Sequence, residues 1–252
     1  MSADLLLAIN AGNTRTAVAL FEGDRLLHRV NAPTDPARTV DATATLLRSP
    51  LDVRGIPPER LAGIVLGSVV PALDPSISEA LERISPRPVA RVRGVFMPLR
   101  AEGVGDDRIA NAIAAYQETV SSTVVIDFGT ATTFTVVSDR GELLGGAIAP
   151  GLKLGAAALG AGTAQLPEVE AVRPGAAIGR DTRGAIASGI YWGHVGLVKE
   201  VLARIARELP SRPRVLATGG LAHVVARDVE EIERVDEDLT LHGLRMIWEH
   251  AR

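Results

Sequence analysis

An internal repeat constrains this chain more than any other feature. Residues 5–31 read LLLAINAGNTRTAVALFEGDRLLHRVN and residues 122–148 read STVVIDFGTATTFTVVSDRGELLGGAI. Each segment starts with an apolar run and turns through a polar stretch holding one glycine, Asn10-Ala11-Gly12-Asn13-Thr14 or Asp127-Phe128-Gly129-Thr130-Ala131. Each continues in β-favouring residues to a second turn, Glu22-Gly23-Asp24 or Ser138-Asp139-Arg140-Gly141, and enters a third strand. Ile9 aligns with Ile126, Gly12 with Gly129 and Thr16 with Thr133. A chain that carries one three-stranded meander twice is built from two related halves.

A short polar hairpin after a first strand suits phosphate binding. Glycine lets the backbone approach closely, turn N–H groups point at an anion, and Thr or Asn side chains add donors. Either hairpin alone reads equally well as an ordinary β-turn; recurrence at equivalent places favours the binding reading.

Between and after the repeats, helical and strand patterns alternate. Residues 38–47 read as a helix, 61–70 as a strand stopped by Pro71, and 77–84 as a short amphipathic helix. A helix over 107–119 opens with acids and carries Ile109, Ile113 and Tyr116 on one face. A long helix over 182–209 shows Ile186, Ile190, Val198, Leu202 and Ile205 on one side. Its Gly189, Gly193 and Gly196 permit close helix approach, as tight packing or a dimer seam. Residues 215–217 form a buried strand before Thr218-Gly219-Gly220, and a last helix ends near Arg252. Two βββαβα-like halves, 1–115 and 116–252, describe an α/β chain with the duplicated actin-like (ribonuclease H-like) ATPase fold. The nucleotide would lie in a cleft between them.

Composition removes several function classes. A net charge of −3 gives no footprint for nucleic acid or an acidic membrane. The chain has no cysteine, so thiol catalysis, thiolate metal sites and disulfides are excluded. Lys153 and Lys199 are its only lysines, and neither completes a P-loop. The five histidines lack metal-ligand spacing. The start lacks a signal-peptide pattern, and no apolar run reaches the roughly 18–20 residues of a membrane span. The expected location is the cytoplasm.

Eight segments, in order along the whole chain, carry a resemblance. They are the glycine hairpin at 10–16, Gly67-Ser68-Val69-Val70-Pro71, Gly105-Asp106-Asp107-Arg108, Asp127 to Thr133, Gly145 to Gly151, Ile178-Gly179-Arg180-Asp181-Thr182, Ala217-Thr218-Gly219-Gly220, and Leu239 to Leu244. Together they resemble type III pantothenate kinase, in the acetate and sugar kinase superfamily. The resemblance implies ATP-dependent phosphorylation of pantothenate to 4'-phosphopantothenate, the first step of coenzyme A synthesis. It also implies Mg²⁺, a monovalent cation (K⁺ or NH₄⁺) and a homodimer.

The same resemblance assigns roles. Asp107 corresponds to the general base that takes the hydroxyl proton; it also reads, with Asp106, as a cap of the following helix. Arg108 corresponds to the arginine holding the pantothenate carboxylate, and reads otherwise as a surface ion pair. Gly105, Asp106 and Thr182 complete the substrate set, although Thr182 reads equally as a helix N-cap. Asp127 corresponds to the monovalent-cation ligand and Thr130 to a phosphate donor. Asn10, Gly12, Asn13, Thr14 and Thr16 would cradle the phosphates, with Gly219 and Gly220 beside the adenosine; a Gly-Gly after a strand is otherwise a turn.

Three departures stand out. Asn10 occupies the place of an aspartate that normally helps hold Mg²⁺ through water, and hard cations favour anionic oxygens. The run Pro98 to Val104 is shorter than the family's stretch with its aromatic residue and proline, and it has neither a Tyr nor a second Pro. Leu159 to Thr163 is built of smaller residues than usual. Three readings follow: an active pantothenate kinase with weakened Mg²⁺ handling, a kinase for another small hydroxylated substrate, or a non-catalytic accessory or regulatory protein.

Overall fold

The structure, a computed structural model, describes residues 4–92, 102–161 and 169–251. The first repeat forms β1 (Leu5–Ala11), β2 (Arg15–Glu22) and β3 (Arg25–Pro33). After it come α1 (Val40–Arg54), β4 (Leu61–Ser68), α2 (Asp74–Ile84), β5 (Val89–Arg91) and α3 (Asp106–Thr119). The second repeat forms β6 (Thr123–Phe128), β7 (Ala131–Val137) and β8 (Leu143–Pro150). Then follow α4 (Leu152–Ala161), α5 (Thr182–Glu208), β9 (Arg214–Thr218), α6 (Ala222–Val225), β10 (Arg234–Val235) and α7 (Leu239–His250).

The two sheets run β3-β2-β1-β4-β5 and β8-β7-β6-β9-β10. In each, the meander pairs antiparallel and the two later strands pair parallel. The sequence repeat is therefore a repeat of topology. Its register needs one correction. Ala11 pairs with Thr16, whereas Phe128 pairs with Thr132. The second turn is one residue shorter, so the counterpart of Thr16 is Thr132 and not Thr133. A one-residue slip turns a side chain to the opposite face of a sheet.

Strands β1 and β4 read as continuous apolar runs because both faces of the sheet are covered. On one face, Leu5, Leu7, Ile9 and Ala11 pack with Leu47 and Leu51 of α1 and with Ile77 and Leu81 of α2. On the other, Gly63 leaves the space that the Trp248 indole of α7 fills, and Gly67 faces Leu244 of α7. Gly243 lies against the Ala110 backbone of α3, and Thr240 Oγ1 donates to Asn111 Oδ1 at 2.7 Å. Helix α7 thus belongs with the first sheet. One compact unit holds residues 4–92, 102–114 and 238–251, and the other holds 115–161 and 169–237. The chain passes from one to the other inside α3.

Helix α1 extends well past the expected 38–47, through Pro50 to Arg54. Proline offers no N–H to the carbonyl four residues back. Ser49 Oγ donates to that carbonyl, Leu46 O, at 2.6 Å and replaces the missing bond. In the second unit, Ile126, Phe128 and Phe134 pack with Tyr191, Val195, Val198 and Leu202 of α5. Among the described residues, no helix is long and apolar enough to cross a membrane.

Candidate active site

In the first unit the candidate residues gather at the end of β1 and β4. The turn after β1 is closed by Gly12 N–H, which donates to Arg15 O at 3.0 Å, so this N–H points inward rather than at a ligand. Thr34 Oγ1 donates to Gly12 O at 2.6 Å and lies 3.0 Å from Thr16 Oγ1. A hydroxyl has one proton, and Thr34 spends it on the carbonyl, so Thr16 is the donor of the second bond. Thr16 is 2% exposed. It braces the turn from beneath, while Asn13 and Thr14 lie exposed on it.

Thr34 escaped the sequence reading because nothing local links it to a turn some twenty residues earlier. Thr34 N–H also donates to Thr14 O at 2.9 Å.

The 105–108 segment comes to the same end of the sheet. Val69, just past β4, donates its N–H to Ala11 O at 3.0 Å, and Ser68 donates its N–H to Asp106 Oδ2 at 2.9 Å. Asp107 Oδ1 accepts from Arg108 N–H at 2.8 Å. A Cβ on Gly105 would stand 2.8 Å from Asp107 Oδ1 and 3.0 Å from Val69 Cγ1, so the carboxylate occupies the space that the glycine leaves. Burial pushes the Asp107 carboxyl above its ordinary value; the neighbouring Arg108 charge opposes this, and the Asp106 charge adds to it. Burial lowers the Arg108 pKa, against the pull of Asp107. Asp107 combines both readings of the sequence: it accepts a first-turn N–H, and its carboxylate has the raised proton affinity that general-base work requires.

Asn10 Oδ1 is buried without a hydrogen-bond partner. Among the described residues, no three His, Cys, Asp or Glu side chains cluster as a metal cage. A cation here would take much of its coordination from phosphate oxygens and water, as Mg²⁺ does. The orphaned Asn10 oxygen is an acceptor that a cation-bound water would satisfy. These residues fit such an ion.

In the second unit, Asp127, Thr130, Gly219 and Gly220 gather at the ends of β6 and β9, where Asp127 pairs with Thr218. Gly219 has φ +93°, and a Cβ there would collide with Asp127 Oδ1 and the Phe128 backbone. Only glycine serves at that position. Gly129 N–H donates to Ala131 O at 3.1 Å, closing the turn as Gly12 closes the first. Thr132, 1% exposed, lies 3.2 Å from His194 Nε2 of α5. The second turn is therefore braced by an imidazole where the first is braced by Thr34.

Thr182 is the first residue of α5, and the N-cap is Asp181, whose Oδ1 accepts from Gly184 N–H at 2.7 Å. The capping alternative for Thr182 is thereby removed. Thr182 lines an open cavity of about 650 Å³ with Leu159, Gly179, Arg180 and Ile186. Residues 98–101, 162 and 163, which carry part of two departures, lie outside the described residues.

The doubled sheet defines the class. A ROK family glucokinase from Streptomyces griseus, solved with glucose and AMPPNP, shares the fold at TM-score 0.60 with 14% identity, over 97% of this chain and 99% of that one. Component A of (R)-2-hydroxyglutaryl-CoA dehydratase from Acidaminococcus fermentans does so at 0.59 with 16% identity, over 99% and 100%. This is the duplicated actin-like fold. Within that class, the pattern defining type III pantothenate kinases matches residues 6–204. A type III pantothenate kinase from Geobacter sulfurreducens is 40% identical, over 98% of this chain and the whole of that protein. One from Myxococcus xanthus is 43% identical, over 97% of this chain and 98% of that protein. The chain belongs to the type III pantothenate kinase family.

Proposed function

We propose that this chain transfers the γ-phosphoryl group of ATP to the primary hydroxyl of pantothenate, the first step of coenzyme A synthesis, in the cytoplasm. The observation that carries the reading is Asp107. Its carboxylate is part-buried, with raised proton affinity, and the same helix N-terminus and strand end bring it to the β1–β2 turn. Asp107 takes the hydroxyl proton as the oxygen attacks the γ-phosphorus, and Arg108 holds the pantothenate carboxylate in a two-pronged contact. Asn13 and Thr14 are the phosphate donors proposed for the first unit, with Thr16 as their support, and Thr130 is the one proposed for the second. Gly219 and Gly220 let the chain pass close to the adenosine, and Thr182 meets the substrate. Asn10 would hold Mg²⁺ through water and Asp127 a monovalent cation; these charges offset the negative charge on the phosphates.

The homodimer belongs to the same proposal. Gly189, Gly193 and Gly196 lie exposed along α5 with nothing within 4 Å of a Cβ added at any of them. Leu154 and Leu159 of the apolar helix α4, and Ile148 of β8, are exposed as well. An apolar, small-residue face of this kind suits a second copy of the chain.

A coupled ADP-release assay with ATP, Mg²⁺ and K⁺, with and without pantothenate, tests the reading. Pantothenate-dependent release is the expected result. Binding of both substrates without release would make the chain an accessory protein, and slow release indifferent to pantothenate would mean another acceptor.

A further inference from the structure

Ser68 and Val69 are consecutive residues leaving β4, and their N–H groups go to two different partners. Val69 donates to Ala11 O, at the start of the glycine turn, and Ser68 to Asp106 Oδ2 on the first turn of α3. We propose that Asp106 is a positioning residue that registers the Asp107 carboxylate against the β1–β2 turn through this two-residue bridge. The inference rests on the reading of Asp107 as the base.

Three observations carry it. Asp106 is 8% exposed, and an aspartate is seldom so buried without a specific partner. Helix capping does not require it, because the first-turn N–H of Arg108 is taken by Asp107. Its Cβ lies 3.5 Å from where a Gly67 Cβ would stand, and Gly67 pairs with Asn10. Asp106 therefore abuts the strand positions next to the turn it is said to register.

Among the described residues, two charged groups act on Asp107, Arg108 and Asp106, and they act with opposite sign. The described side chains nearest Gly67 and Gly105, beyond the two aspartates, are Val69, Val92 and Leu244, which carry no charge. Removing Asp106 thus has two separable effects. It releases the N-terminus of α3 from Ser68, and it takes away a negative charge that keeps the base basic.

Asp106→Ala and Asp106→Asn separate them, assayed with ATP, Mg²⁺ and pantothenate across pH, beside thermal melts. Asp106→Ala should lose about tenfold or more in kcat with little change in KM for ATP, the signature of a displaced base. Asp106→Asn keeps an acceptor for Ser68 N–H and should recover most of kcat, while its acid limb moves to lower pH. A purely structural role would lower the melting temperature of both variants and leave the acid limb in place, and that outcome overturns the proposal. If Asp106→Ala does not fold, Asp106→Glu decides: it keeps the charge but moves the acceptor away from Ser68 N–H, and a kcat equal to the parent's overturns the proposal. Asp107→Asn, run alongside, keeps the two readings apart. Parent-like turnover in it sinks the base assignment and this inference together; an inactive Asp107→Asn with an unmoved Asp106→Asn limb sinks this inference only.

Discussion

Asp107 is held where its ionised form is disfavoured, and that has a consequence for stability as well as for catalysis. Its folded pKa lies above the unfolded value of about 3.9. The stability linked to the neutral form is complete below that value and is lost as pH rises through the folded pKa. Asparagine does not titrate. Asp107→Asn should therefore melt at a higher temperature than the parent at neutral pH, with the gap closing below about pH 4. Its turnover should fall by about 10² or more. Melting curves across pH check the first part, and a variant no more stable than the parent at pH 7 would contradict it. Gly105 belongs to the same arrangement, since its missing side chain is the space the carboxylate uses.

At the scale of elements, the segment before α5 is held by a compact cluster. Arg173 grips Asp228 with two bonds of 2.7 and 2.9 Å and lies 5.3 Å from the centre of the Trp192 ring. Tyr191 OH donates to Asp228 Oδ2 at 2.6 Å. The Arg173 contacts, then Tyr191, bring the Asp228 carboxyl down to about 2, and burial with the Asp228 bond pushes Tyr191 up to about 12. A depressed carboxylate pKa gives stability present above about 3.9 and lost as pH falls toward 2. Asp228→Asn should loosen residues 169–181, so limited proteinase K digestion should cut that segment several-fold faster than in the parent. Equal cutting rates would mean that the cluster does not hold the segment.

The elements themselves were largely legible. Both meanders, α3, α5 and the strand before Gly219 follow from periodicity and turn residues. The side-chain links between distant segments were not. Thr16 with Thr34, Thr132 with His194, and Ser68 with Asp106 each join residues with no shared local pattern. Nor could spacing show that Ser49 would repair the helix at Pro50, or that the shorter second turn would put Thr132 rather than Thr133 beneath it. The candidate site was therefore readable as a set of turns and acids, and unreadable in what braces them.

At the scale of the whole molecule, the open face of α5 makes association testable without harming the protomer. A side chain at Gly193 meets nothing within 4 Å of its Cβ, and replacing a helical glycine favours the helix by roughly 0.5–1 kcal/mol. If the chain pairs through this face, as proposed, Gly193→Arg should stay folded by circular dichroism yet have monomer mass by light scattering where the parent has dimer mass. A parent of monomer mass would sink the proposed pairing, and a dimeric variant would remove this face from it.

The placement of α7 reaches into how the chain is made. Trp248 fills the gap at Gly63, Leu244 covers Gly67, and Gly243 braces α3 at Ala110. During synthesis, the first sheet leaves the ribosome long before the helix that covers one of its faces. Until residues 238–251 emerge, that face stays bare and the helix bearing Asp107 lacks its support, so a nascent chain halted before them holds an unfinished first unit, open to chaperones.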